Sequence, residues 1–305
     1  MYRVENLYPH YKDAVKIEWN LGKRCNYDCS YCPAEIHDNT SKHTDIEILK
    51  NTVDSLSLLK NPRISLTGGE PFVHPDIEKL LDYARPKVTW INVTTNGTRT
   101  SDFYIKMLNQ YLDHIVFSIH FEYDWKRVLN TILSVIQHGN KKKVLTHVMM
   151  LPGRLKDVKD ACRRLSEAGV AYALRPIRWT EAHDIFEDME RYSEEEIEFL
   201  KTQNHNPPKN TLIDESIECN VNDLLINKTN SFLNWKCNAG LESLMVNWDG
   251  EVHRATCRVG GSLGNIYEGT FVAPDTAVSC TRQWCTCAAD INITKVDPLS
   301  QEKSS

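Results

Sequence analysis

The chain has 305 residues, 41% hydrophobic and 25% charged, with a formal charge of −5. That is the composition of a folded globular protein with one large domain and room for a small appendage, not of a disordered chain. The negative balance argues against bulk electrostatic binding to nucleic acid, and no apolar run approaches the roughly 18 residues of a membrane span.

Residues 1–15 mix polar, aromatic and charged side chains and read as an N-terminal extension without the apolar core of a signal peptide. A cytoplasmic location is the expectation. From residue 16 onward, short apolar runs at 16–21, 63–67, 89–94, 114–119, 144–151 and 171–177 read as strands. The segments 45–60, 76–84, 102–111, 124–138 and 156–168 between them read as amphipathic helices. In the first, Ile46, Leu49, Val53, Leu56 and Leu59 share a face, and Asp45, Asp102 and Asp124 are N-cap candidates. Lys141-Lys142-Lys143 follows Gly139-Asn140 and reads as a solvated turn. Six strands alternating with helices predict an α/β fold, a partial (β/α)6 barrel over residues 16–180, shorter than the eight units of a closed one.

Beyond the barrel, residues 181–233 read as a linker with one helix at 193–203 and a bend at Pro207-Pro208. Residues 234–292 are cysteine-rich and contain a predicted β-hairpin over 244–256 that turns at Asp249-Gly250, followed by a helix. Residues 293–305 read as a frayed tail.

Ten cysteines are many for a reducing compartment, where clustered thiols serve metals or catalysis more readily than disulfides. Cys25, Cys29 and Cys32 directly follow the first barrel strand. Three thiolates this close can each bind one iron of a cubane cluster and leave the fourth iron open to a small molecule. A zinc site completed by His37 or His43 is the alternative. The later motifs also fall at C-terminal ends of predicted strands, where parallel α/β folds place ligands. They are Gly68-Gly69-Glu70-Pro71, Thr95-Asn96-Gly97 and Ser118-Ile119-His120. The glycines permit a tight turn and a close backbone approach. Glu70 can pair with a cationic amino group, and His120 titrates near neutrality and is a weak candidate for proton transfer to a substrate. His147, Met149, Arg175 and Arg178 lie on or after the last two barrel strands, where an arginine could clamp an anion. A second set, Cys237, Cys257, Cys280, Cys285 and Cys287, brackets the predicted hairpin; four of these can hold a cubane or a zinc ion. Cys162 sits at a helical position and reads as core packing.

The Cys-x3-Cys-x2-Cys spacing, with Tyr31 before the last cysteine, resembles the signature of the radical S-adenosylmethionine superfamily. The resemblance implies a 4Fe–4S cluster on Cys25, Cys29 and Cys32 that cleaves S-adenosylmethionine to a 5′-deoxyadenosyl radical. It also implies that Gly68, Gly69, Glu70, Thr95, Asn96 and Ser118 hold S-adenosylmethionine; His120 departs from the Asp that many relatives carry. The second cysteine set resembles the twitch domain, a short form of the SPASM domain, which implies an auxiliary 4Fe–4S cluster as an electron outlet. The ending Cys285-x-Cys287 departs from the Cys-x2-Cys expected there. An electron donor such as flavodoxin or ferredoxin follows from the same resemblance. Oxidation or rearrangement of a small molecule, such as a sugar or aminocyclitol, is the expected activity. Maturation of a ribosomal peptide is the second reading, disfavoured because residues 1–15 leave no room for a leader-binding domain. A non-catalytic metal-binding scaffold is the third.

Overall fold

A computed structural model describes residues 1–34, 37–177, 190–202 and 209–301. Its frame is a run of six parallel strands: β2 (Lys16–Asn20), β3 (Arg63–Thr67), β4 (Trp90–Thr95), β5 (His114–Ile119), β6 (Val144–Met150) and β7 (Ala171–Pro176), preceded in the chain by β1 (Arg3–Asn6). Helices α1 (Ile46–Ser57), α2 (Ile77–Ala84), α3 (Ser101–Gln110), α4 (Trp125–Val135) and α5 (Leu155–Glu167) supply the crossovers. Asp45, Thr100 and Asp124 cap α1, α3 and α4 by accepting backbone N–H bonds. On α4 the residues Trp125, Val128, Leu129, Ile132 and Val135 are buried. Each such side chain contributes about 1.5–3 kcal/mol by leaving water.

Alternation along the strands sorts the residues. Ile17, Trp19, Ile64, Leu66, Ile91 and Val93 face the helices and form the core. The opposite positions, among them Glu18, Ser65, Asn92 and His114, line a cavity inside the curved sheet. The six strands agree with the sequence expectation to within a residue or two, and the sheet does not close on itself.

The C-terminal region departs from the expected separate unit. The hairpin of β11 (Ser243–Val246) and β12 (Glu251–His253) forms around Gly250 as predicted. However, β11 pairs in parallel with β2, and β13 (Ser262–Asn265) joins β12, so the barrel sheet has nine strands. A second, antiparallel sheet collects β1, β8 (Thr211–Ile213), β9 (Ile217–Cys219), β10 (Lys236–Cys237), β14 (Val278–Ser279) and β15 (Lys295–Val296). The N-terminal extension is therefore a strand held between β8 and β15. The expected tail from residue 293 is likewise a strand through 296 and a short helix, Pro298–Gln301. The expected linker contains the helix Glu194–Thr202 as predicted, but also β8, β9 and the helix Val221–Ile226. Arg178 and Pro207-Pro208 lie outside the described residues. Among the described residues no helix is long and apolar enough to cross a membrane.

Candidate radical-cluster site

The chain leaving β2 is clamped to the chain leaving β3. Leu21 N–H donates to Thr67 O (2.9 Å), Gly69 N–H to Gly22 O (2.8 Å) and Glu70 N–H to Arg24 O (2.9 Å). Gly68 has φ +116°, and a Cβ on it would lie 2.5 Å from Gly22 O; on Gly69 it would lie 2.3 Å from Arg24 O. Both glycines are thus required by backbone approach to the segment that delivers Cys25.

Cys25 N–H then bonds Asp38 O, and Cys32 N–H bonds Cys29 O, each at 2.9 Å. Tyr27 N–H donates to Cys25 Sγ at 3.3 Å, and Asn96 Nδ2 approaches the same sulfur at 3.8 Å. Burial, followed by the charge of Cys32, pushes the Cys29 thiol up to about 12; burial, followed by Cys25, pushes Cys32 up to about 11. The three thiols feel one another electrostatically, so a bound cation must displace their protons. Among the described residues no three His, Cys, Asp or Glu side chains converge on a single ion. A zinc ion draws its ligands to one point, whereas a cubane gives each thiolate its own corner. Donors aimed at sulfur suit the thiolates of such a cluster. His37 is engaged with Tyr27 O at 2.7 Å, and His43 packs on His74 with ring centroids 4.8 Å apart.

Glu70 ties these parts together. Its Oε1 accepts from Phe72 N (3.1 Å) and Thr95 Oγ1 (2.8 Å), and its Oε2 from Asn96 N (2.6 Å). Burial lifts its pKa to about 7, against these three donors, which favour the ionised form. Asn96 Nδ2 also donates to Asn26 Oδ1 at 2.8 Å, joining the end of β4 to the cysteine loop. Gly68, Gly69, Glu70, Thr95 and Asn96 are therefore brought together, and their polar atoms largely satisfy one another. Ser118 is buried at the end of β5, in register with His147. Arg175 Nη2 stands 3.1 Å from His147 Nε2. His120 is placed against the cysteine loop: its Nδ1 lies 2.6 Å from Tyr31 OH and 3.6 Å from Cys29 Sγ, and burial lowers its pKa to about 4.

The second cysteine set lies around β10 and β15. Cys237, Cys280 and Cys285 are buried; Cys257 and Cys287 are half-buried. Cys257 N–H donates to Asp290 Oδ2 at 2.8 Å. In register with Cys237 stands Lys295, only 2% exposed. Its Nζ donates to the carbonyls of Asp290, Ile291 (3.2 Å) and Ile293 (2.9 Å). Burial alone would lower its pKa, but the charges of Cys285, Cys237, Asp290 and Cys257 reverse the sign and raise it. A buried ammonium is costly unless compensated, and three backbone carbonyls, with Asp290 and the cysteines around it, supply the compensation here.

The sequence profile of the Radical SAM superfamily matches residues 19–175, more than half of the chain. The chain belongs to the Radical SAM superfamily. The matched span holds Cys25, Cys29, Cys32 and all the turns just described. Members of this superfamily are enzymes, and the family implies a 4Fe–4S cluster and S-adenosylmethionine. Among curated proteins, the antilisterial bacteriocin subtilosin biosynthesis protein AlbA of Bacillus subtilis (strain 168) is 34% identical over 101 residues, 33% of this chain and 22% of that one. Fe-coproporphyrin III synthase of Methanosarcina barkeri is 35% identical over 83 residues, 27% of this chain and 21% of that one. The similarity thus spans about a fifth of these relatives. The structure of Streptococcus suis SuiB bound to S-adenosylmethionine superposes with TM-score 0.57 at 12% identity, over 84% of this chain and 64% of that one, which shows a shared fold.

In this radical SAM chain several residues that motif reading passes over complete the loop. Glu122 accepts from Ser30 N (2.9 Å) and Ser30 Oγ (2.5 Å), and Tyr123 stacks on Tyr27 at 3.7 Å while its hydroxyl accepts from Asp28 N. Glu122 and Tyr123 lie two and three residues after His120 of the Ser118-Ile119-His120 motif, so proximity in sequence was the available signal. Lys295 had none.

Proposed function

We propose that Cys25, Cys29 and Cys32 ligate the 4Fe–4S cluster and that the protein oxidises or rearranges a small hydroxylated molecule, such as a sugar or aminocyclitol. When bound, the reduced cluster and S-adenosylmethionine together supply a hydrogen-abstracting radical. The chain's own residues fix and shield that chemistry. Tyr27 N–H and the Asn96 amide direct hydrogen atoms at Cys25 Sγ. Glu70 Oε2 accepts one bond from the chain and retains a lone pair for the amino group of S-adenosylmethionine. Gly68, Gly69, Thr95, Asn96 and Ser118 shape that pocket. The observation that carries the reading is the buried brace of Glu70 between the Cys25 loop and the ends of β3 and β4.

Cys237, Cys257, Cys280, Cys285 and Cys287 supply the ligands of an auxiliary 4Fe–4S cluster in a twitch-type region, which makes a net oxidation feasible. The burial of Lys295 among them supports it. Cys25, Cys29, Cys32, Cys237, Cys257, Cys280 and Cys285 are free thiols, in keeping with a cytoplasmic protein served by a flavodoxin or ferredoxin. An interior cavity of about 470 Å3 supports a small-molecule substrate over a peptide. Similarity to AlbA favours the peptide as second reading.

Anaerobic reconstitution with iron and sulfide, then reduction with S-adenosylmethionine present, is expected to yield 5′-deoxyadenosine, and Cys29→Ala to abolish it. Absence of product from the unmodified protein with an intact cluster would refute the reading.

A further inference from the structure

The cavity inside the sheet opens at the N-terminal ends of the barrel strands, the end opposite Cys25. Lys16, Arg63 and Trp90 stand side by side there, in direct register across β2, β3 and β4. One layer further in, Glu18, Ser65, Asn92 and His114 are likewise in register. Tyr11, from the turn before β2, completes the mouth.

Arg63 is held in an unusual way. Its guanidinium carbon lies 4.7 Å from the Tyr11 ring centroid and 4.4 Å from that of Trp90. Both rings hold the cation by their faces and fix its plane, which leaves its edge, with the N–H fork, for hydrogen bonding. Yet among the described residues the Arg63 side chain has no hydrogen bond or ion pair, and its Nε is buried without an acceptor. Lys16 stands beside it: its Nζ sits 5.2 Å from the Tyr11 centroid and forms no ion pair among the described residues, although its charge acts on Glu18. The two cations therefore line one end of the cavity with no ion-paired carboxylate among the described residues; the cavity's own acids are Glu18, Glu242 and Asp290. Deeper, Glu18 has no hydrogen-bond partner among the described residues and shares the cavity with Asp290, whose oxygens are taken by the N–H groups of Thr256 and Cys257. Asn92 and Ser65 bond each other at 2.7 Å, and Asn92 bonds His114 at 3.0 Å.

We propose that this cavity binds a small hydroxylated or amino-bearing molecule with an anionic group, the carboxylate or phosphate held by Arg63 and Lys16 and the hydroxyl or ammonium groups by Glu18. A planar fork fixed by two rings is suited to two parallel bonds to one anion. Glu18 is an acceptor-only group when ionised and selects donors. The cavity volume of about 470 Å3 lies within the usual range for small-molecule sites. The inference rests on the small-molecule reading above and narrows it: a neutral polyol fills only half of the recognition groups.

The test is calorimetric titration of the anaerobically reconstituted protein with glucose, glucuronate and glucose 6-phosphate as probes. At least one charged probe is expected to bind tenfold or more tightly than glucose, and the tighter of the two tells carboxylate from phosphate. Arg63→Gln is expected to erase the preference. Lys16→Gln, which leaves the stacked rings in place, is expected to reduce it severalfold and serves if Arg63→Gln does not fold. Equal affinity for glucose and the charged probes, no detectable binding of either charged probe, or a preference that survives both substitutions overturns the proposal. Formation of 5′-deoxyadenosine by the unmodified protein is scored separately, so loss of this inference is distinguishable from loss of the radical reading.

Discussion

Gly69→Ala separates two roles for the Gly-Gly-Glu turn. A methyl at Gly69 would lie 2.3 Å from Arg24 O and 2.5 Å from Lys23 O, whereas ordinary contact begins at 3.4 Å. Both oxygens belong to backbone, so the two chains must part by about 1 Å. That lengthens the Gly69–Gly22 bond of 2.8 Å and the Glu70–Arg24 bond of 2.9 Å beyond hydrogen-bonding range. Two such bonds contribute about 1 kcal/mol each, and overpacking costs about 1–3 kcal/mol, giving an expected loss of about 3–5 kcal/mol. Cys25 is the next residue after Arg24, so the cluster loop shifts with it. The assay is anaerobic guanidinium denaturation of the metal-free protein, with iron content after reconstitution measured in parallel. Gly22→Ala is the control: nothing lies within 4 Å of its added methyl, and it is expected to be neutral or stabilising by up to about 1 kcal/mol. If Gly69→Ala instead keeps full stability and iron content and weakens only S-adenosylmethionine binding, the glycine serves the cofactor and not the chain.

Replacing Cys25, Cys29 and Cys32 together with Ala is expected to lower bound iron from about eight to about four per chain; loss of all iron would count against two independent centres. Lys295→Met removes three donated bonds and the buried cation facing Cys285 and Cys237. It is expected to cost about 3–5 kcal/mol in denaturation of the loaded protein and to make the proposed auxiliary centre harder to reduce in a potentiometric titration; an unchanged potential would remove Lys295 from that role. His114 has its pKa lowered by burial to about 4, from 6.5 when unfolded. Its folded form therefore binds fewer protons between those values, and stability is lost as pH falls through that window, by on the order of 3 kcal/mol at most. His114→Gln keeps a partner for Asn92 and is expected to flatten the acid limb of the stability–pH curve; an unchanged slope would show that His114 is not what titrates.

What could be read in the sequence follows from how local the physics is. The six barrel strands and five crossovers carry their own periodicity over five to thirteen residues, and the motifs at strand ends need only the next residue to be placed. Gly68-Gly69 was legible as a close approach, but the surface approached is the chain's own segment at residues 22–24, because register between β2 and β3 continues past both strands. The short strands β1 and β15 have four and two residues, too few for a pattern. They form because distant partners cover their edges: β1 pairs with β8 and β15 some two hundred residues or more away, and β15 also pairs with β10. Lys295 is the limiting case. A lysine in a polar stretch near the C-terminus is expected in water, and it is buried here because β15 lies against Cys237 and because the carbonyls of Asp290, Ile291 and Ile293 turn onto its ammonium. The same reasoning runs in reverse for Arg63: at the start of a strand it looks like a surface cation, and only the fold sets it between Tyr11 and Trp90 at a cavity where, among the described residues, it has no ion-pair partner. Both cations are placed by the fold, Lys295 on three backbone carbonyls beside the second cysteine set and Arg63 with no ion-pair partner among the described residues, and neither placement is visible in the local residue pattern.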